Sequence, residues 1–216
     1  MIIAIDGPSG AGKSTVAKLL SKVLDFEYID TGAMYRALAY KAYINNIEID
    51  ENKIDKMLEM TTIDYYDNKI YLDNQNVESL IRSEIISKGS SKISALKNVR
   101  IKMVALQRNI AKNKNVILDG RDIGTKVFPD ADFKFFITAS VETRAKRRYE
   151  QLKLSGTDVD FNDVLLSIKK RDESDSTRKI SPLEMADDAI LIDTSNMEIN
   201  EVVKTIANLI GGKNVL

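Results

Sequence analysis

Histidine, cysteine and tryptophan are all absent from the 216 residues of the chain. Without histidine there is no Ser-His-Asp triad, imidazole base or imidazole metal ligand; without cysteine there is no thiolate nucleophile, thiolate-held zinc or iron–sulfur cluster, and no disulfide. Catalysis must therefore rest on carboxylates, lysine, arginine, hydroxyls, backbone N–H groups or a borrowed cofactor. Glycine (10) and proline (3) are scarce, which leaves little room for linkers, so one folded unit with at most a small inserted subdomain is expected. Net charge is absent too. The 32 Lys+Arg balance 32 Asp+Glu, so the overall positive field of a nucleic-acid binder is missing, while local basic clusters remain available to small anions. No apolar run approaches the ~20 residues that span a bilayer, and residues 1–5 meet Asp6 without a basic leader. A cytoplasmic protein with neither membrane nor nucleic acid as partner is expected.

What is present alternates between two periods. Residues 2–5 form an apolar run that reads as a buried parallel strand, and from Ser14 onward Val16, Leu19, Leu20 and Val23 recur at helical spacing. Further strands are read at 26–29, 116–118, 133–137 and 190–192. Helices are read at 34–44, 51–60, 79–88, 91–113, 140–154 and 161–173, with a last helix closed by Gly211-Gly212. Between them, Ile63-Asp64-Tyr65-Tyr66 and Ile70-Tyr71-Leu72 flank Asp67-Asn68, a hairpin pattern suited to a small inserted β-element at 61–78. Strands alternating with helices predict an α/β fold on a parallel sheet of five strands, with ligands at the strands' C-terminal ends.

The first strand runs into Gly7-Pro8-Ser9-Gly10-Ala11-Gly12-Lys13-Ser14, then Thr15 and an amphipathic helix. This is the spacing G-x-x-x-x-G-K-[ST] in its required strand-to-helix context. Glycines let backbone N–H groups turn toward phosphate oxygens, the helix N-terminus adds partial positive charge, Lys13 reaches the β- and γ-phosphates, and the Ser14 hydroxyl suits Mg²⁺. A nucleoside-triphosphate site follows, with residues 7–15 as the ATP contact. Asn52-Lys53-Ile54-Asp55 spells a guanine-reading tetrapeptide, but it lies in an early helical stretch and no glycine in the chain has an aspartate three residues before it. A solvated helix face explains it better than a GTPase switch.

Two turns at the same sheet edge suit an acceptor. Asp30-Thr31-Gly32-Ala33-Met34-Tyr35-Arg36 brings a hydroxyl and a guanidinium to a helix start, and Asp119-Gly120-Arg121-Asp122 ends another strand. A third cluster is cationic: Arg144, Lys146, Arg147 and Arg148, then Lys169, Lys170, Arg171 and Arg178. Basic helix faces are commonly just solvated; beside a phosphate loop these arginines read as a lid that closes on the transferring phosphoryl group. Asp119 is a candidate to hold a Mg²⁺-bound water, or alternatively bonds turn amides.

These motifs, together with Ile81-Arg82-Ser83, Ile123-Gly124-Thr125, Val127-Phe128-Pro129 and Arg171-Asp172-Glu173-Ser174-Asp175 through Arg178, resemble the bacterial cytidylate kinases, relatives of adenylate kinase, nearly end to end. The resemblance implies a P-loop NTPase three-layer fold with a core at 1–57, 95–146 and 176–216, a nucleoside-monophosphate-binding insert at 58–94 and a small helical lid at 147–175. It also implies phosphorylation of CMP and dCMP by Mg-ATP, and a monomer. By position, Lys13, Arg121, Arg171 and Arg178 would be catalytic. Thr31, Arg36 and Arg121 would hold the CMP phosphate; Ser91, Arg100 and Asp122 would read cytosine; Arg171, Asp175 and Arg178 would serve ribose and phosphates. The base assignment makes chemical sense. A carboxylate at Asp122 accepts from the cytosine N4 amino group while Arg100 donates to the ring acceptors, and uracil would set a carbonyl oxygen against that carboxylate. The alternatives are a broader UMP/CMP kinase, more distantly an adenylate or shikimate kinase, and outside enzymes a nucleotide-dependent binding module.

Overall fold

In the computed structural model, which describes residues 1–66 and 68–211, five strands form one parallel sheet: β1 (Ile2–Asp6), β2 (Glu27–Asp30), β6 (Val116–Asp119), β7 (Phe133–Thr138) and β8 (Ile190–Asp193), in the order β2-β6-β1-β7-β8. The continuous apolar runs are buried on both faces, as a parallel sheet demands. Helices α2 (Thr31–Ile44), α3 (Glu51–Glu59), α4 (Glu84–Ile93) and α5 (Lys97–Ala111) cover one face around Ile29, Met34, Leu38 and Leu118. Helices α1 (Lys13–Leu24) and α8 (Ile199–Ile210) cover the other around Ile3, Ile5, Leu20 and Ile206. Sheet and two helical faces give the three layers expected. The register sets Ile5 beside Asp119 and Asp30 beside Asp119, so Asp6, Asp30 and Asp119 come out at one edge, the C-terminal edge where α/β sheets take ligands.

The second sheet has three antiparallel strands: β3 (Ile63–Tyr66), β4 (Lys69–Leu72) and the short β5 (Gln75–Asn76). The turn at Asn68 (φ 56°) was legible; the second, Asp73-Asn74, takes φ of 48° and 66°, the left-handed pair of a tight hairpin turn. Asp67 and Gly212, both expected in turns, lie outside the described residues. The β-element's apolar residues Ile63, Tyr65, Ile70 and Leu72 join the same buried cluster as Met34 and Leu38.

Two expected helices shift. Residues 79–88 and 91–113 become α4 and α5 because the Ser83 side chain accepts from the Ile86 N–H and starts the helix there, while Val77 donates to the Ile70 carbonyl and keeps the preceding chain on the sheet. In α1 the buried stripe is Val16, Ala17, Leu20 and Ser21, with Val23 39% exposed, a rotation toward α8. Helices α6 (Val141–Leu154) and α7 (Phe161–Thr177) pack on each other through Ala145, Val164 and Ile168. A wide π-turn, Ile123–Val127, follows β6; no sequence period announced it.

Candidate active site

The C-terminal sheet edge opens into a cleft of about 1200 Å³ reached by the phosphate loop, α2, α4, the turn after β6, α6, α7 and the start of α8. The loop is shaped by its backbone. Gly7 has φ 142°, and a Cβ there would sit 2.0 Å from the Ile137 carbonyl oxygen. Lys13 turns back to donate to the Pro8 carbonyl at 2.7 Å. Its ammonium is buried, and burial together with the nearby Arg121 cation lowers its pKa well below the ordinary lysine value. The Asp119 and Asp6 carboxylates oppose that shift without reversing it.

Asp119 is the hub behind the loop. Its carboxylate accepts from Ser14 Oγ and from Tyr28 Oη, each at 2.7 Å, and its carbonyl accepts from Thr31 Oγ1 at 2.6 Å. Those hydroxyls, rather than turn amides, are its partners, and burial raises its pKa. Ser14 and Asp119 together present a hydroxyl and a carboxylate, hard oxygen donors of the kind Mg²⁺ takes one or two at a time beside substrate phosphates. No cluster of three acidic residues able to cage a metal exists among the described residues.

Asp6 sits under the π-turn and accepts from Ile123 N–H at 2.9 Å and Gly124 N–H at 2.7 Å. Burial raises its pKa to about 6 against those two bonds. It thereby fixes the turn that carries Arg121 and Asp122. Asp122 is buried and paired with buried Arg100 of α5, its other oxygen 3.8 Å from Arg178. Arg100 lies 5.5 Å from the centre of the Tyr35 ring, a cation–π contact. Ser90 and Ser91 line the same cleft.

A buried Asp–Arg pair facing a phosphate loop across one cleft is a pattern for reading one small molecule while another is held by its phosphates. Comparison with known proteins agrees. The family description Cytidylate kinase matches residues 3–211. The chain belongs to the cytidylate kinase family. It is 53% identical over 205 residues to the cytidylate kinase of Caldanaerobacter subterraneus subsp. tengcongensis, covering 94% of this chain and 92% of that one. It is 50% identical over 209 residues to the cytidylate kinase of Clostridium botulinum strain Okra, with 96% of each covered. A crystal structure of an uncharacterized protein from Eubacterium ventriosum superposes with a TM-score of 0.53 at 16% identity, covering 99% of both chains, a likeness of fold.

In this cytidylate kinase family member the arginines divide by exposure. Arg171, Asp175 and Arg178 follow i, i+4, i+7 along α7 and its C-cap, one face of the helix. Asp175 pairs with Arg121 at 3.0 Å; burial would raise its carboxyl, but Arg121 and Arg171 outweigh it and hold the pKa below the ordinary value. Arg171 has no ion pair among the described residues and its buried Nε has no hydrogen bond. Burial, with Arg121 next, pushes it down to about 10. Arg147 and Arg148 also line the cleft, whereas Lys146, Lys169 and Lys170 face solvent and leave the expected cationic cluster.

Two residues that shape the site, Tyr28 and Asp6, had no site role in the sequence reading, and the pairings of others were not legible there. Arg36 is held at 2.8 Å by Asp30, which also takes Arg82. Arg144, expected in the cationic cluster, donates to the Ser9 carbonyl and pairs with Asp172 at 2.6 Å, tying the phosphate loop to α7. Tyr28 and Asp6 act from neighbouring strands. A polar residue at the end of each parallel strand was the available signal, since buried carboxylates there need partners.

Proposed function

We propose that the chain transfers the γ-phosphoryl group of Mg-ATP to CMP and dCMP. The observation that carries this reading is the buried Asp122–Arg100 pair set across one cleft from the phosphate loop. Residues 7–15 bind ATP. Ser14, with Asp119 through a water, would hold Mg²⁺, which would supply positive charge against the phosphates. Residues 58–94 form the acceptor insert and 147–175 the lid on a core of 1–57, 95–146 and 176–216.

Thr31, Arg36 and Arg121 hold the acceptor phosphate, and Arg171 and Arg178 bring further positive charge from the lid, with Asp175 orienting them and the ribose. Ser91, Arg100 and Asp122 read the base. With Lys13, these cations offset the repulsion between two phosphate-bearing substrates, and positioning does the rest; no histidine base is needed. Arg171, without an ion pair among the described residues and with its pKa lowered first by burial and then by Arg121, supports that role. The partners are small nucleotides, the chain acts as a monomer, and its place is the cytoplasm. No helix among the described residues is long and apolar enough to cross a membrane.

The test is ADP release from Mg-ATP with AMP, CMP, dCMP, GMP, UMP or shikimate offered separately. Turnover selective for CMP and dCMP is expected. Equal turnover with UMP would overturn the base reading, and no stimulation by any acceptor would overturn the kinase reading.

A further inference from the structure

Of the cations lining the cleft, Arg82 alone comes from residues 61–94 among the described residues, and no role follows for it from the site as described. It lies between the second sheet and α4, where its Nη1 is 3.0 Å from Asp30 Oδ2 and its Nη2 pairs with Glu78. The same Asp30 oxygen takes Arg36 Nη2 at 2.8 Å. Two guanidiniums therefore converge on one carboxylate oxygen.

The three anchors differ in freedom. Asp30 is buried, with a side chain 6% exposed, and its other oxygen accepts from the Ala33 N–H at 2.9 Å, so it is fixed at the head of α2. Burial would raise its carboxyl, but Arg36 and Arg82 prevail and keep it ionised. The Arg82 and Glu78 side chains are 43% and 30% exposed, a solvent-washed pair of the kind that contributes little and exchanges readily. A phosphate arriving beside Thr31 and Arg36 meets a second guanidinium already aimed at the same point, with a weakly held branch to offer. Forked, charge-assisted bonds from arginine suit a phosphate better than any contact Glu78 makes.

We infer that Arg82 is a further ligand of the acceptor's phosphate, that Asp30 is the fixed anion keeping Arg36 and Arg82 convergent, and that Glu78 is the anion the phosphate displaces. This rests on the reading of the Thr31–Arg36 side as the acceptor's phosphate cradle.

The experiment compares the affinities of the full chain for CMP and for cytidine by calorimetry, with steady-state KM values for CMP and ATP. Arg82→Gln is expected to weaken CMP by about 10- to 100-fold and to leave cytidine and the KM for ATP unchanged. Arg82→Lys keeps the charge without the fork and is expected to fall between; it carries the test if the glutamine variant does not fold. Glu78→Gln is expected to tighten CMP a few-fold. Equal weakening of CMP and cytidine by Arg82→Gln would make Arg82 a packing residue, and unchanged CMP affinity would make it only a tie to Asp30; either overturns the inference, as does a Glu78→Gln variant that binds CMP more weakly. Wild-type protein that binds CMP no better than cytidine would overturn the cradle reading itself, before any variant is compared.

Discussion

Two regions face each other across the cleft and are built in opposite ways. Residues 61–94 contribute Ile63, Ile70, Leu72, Ile81, Ile86 and Ile93 to the same buried cluster as Met34 and Leu38. The α6–α7 pair buries only Ala145, Val164 and Ile168 in a cluster of its own. It is tied to the rest by polar contacts: Arg144 to the Ser9 carbonyl, Arg147 to Thr194, Asp175 to Arg121. Apolar burial is insensitive to ligand charge, whereas arginine contacts are those that phosphates would claim. Residues 61–94 are thus an extension of the core, and the α6–α7 pair is a structure attached mainly through charged and polar groups that an anion would also attract.

The largest expected effect tests whether both regions serve one phosphate loop. Lys13→Ala should lower kcat by about 10²- to 10³-fold in ADP-release assays while the melting temperature holds; a much smaller loss would mean that the arginines of α7 can stand in for it. Next, matched truncations probe the packing difference directly. Ile70→Ala, at a side chain with no exposure, should cost about 3 kcal/mol and lower Tm by roughly 6–12 °C. Ile168→Ala in the small cluster should fall at the low end of the range for such truncations, about 2 kcal/mol. Equal losses in thermal melts would break the comparison.

The buried carboxylates supply a pH test with opposite signs. Asp6, raised to about 6 in the fold by burial, favours folding below its unfolded pKa, and this contribution is lost as pH rises through about 6. Asp175, held low by Arg121 and Arg171 despite burial, contributes above its unfolded pKa and is lost as pH falls through its lower folded value. Melting curves from pH 3 to 8 should therefore show Asp6→Asn removing a decline of up to about 3 kcal/mol between roughly pH 4 and 6, and Asp175→Asn flattening the acid limb. A decline that survives Asp6→Asn unchanged would place its source elsewhere. The smallest effect concerns Asp122, which lies between the two regions, paired to Arg100 on one side and near Arg178 on the other. Asp122→Asn should narrow the CMP-over-UMP preference in kcat/KM by about tenfold with an unchanged KM for ATP; a shift in the ATP value would move Asp122 to the α6–α7 side of the comparison.

Much of this was legible along the chain, and particular residues show why. The phosphate loop, the Asp30-to-Arg36 turn and the Arg171, Asp175, Arg178 spacing each lie within one turn or one helix, where steric rules and helical period act on near neighbours. The sheet of five strands followed from apolar runs alternating with helical stripes. The π-turn did not follow, because it is held from outside, by Asp6 on a different strand.

By itself the sequence determined the strands, the phosphate-binding loop, the absence of histidine and thiol chemistry, and which motifs could meet at one sheet edge. Tertiary structure alone decided the partnerships: Asp6 with Gly124 across 118 positions, Ser14 with Asp119 across 105, Arg82 with Asp30 across 52. Such pairs depend on strand order and on how helices settle over the sheet, and a buried carboxylate takes whichever donor the packing brings within about 3 Å.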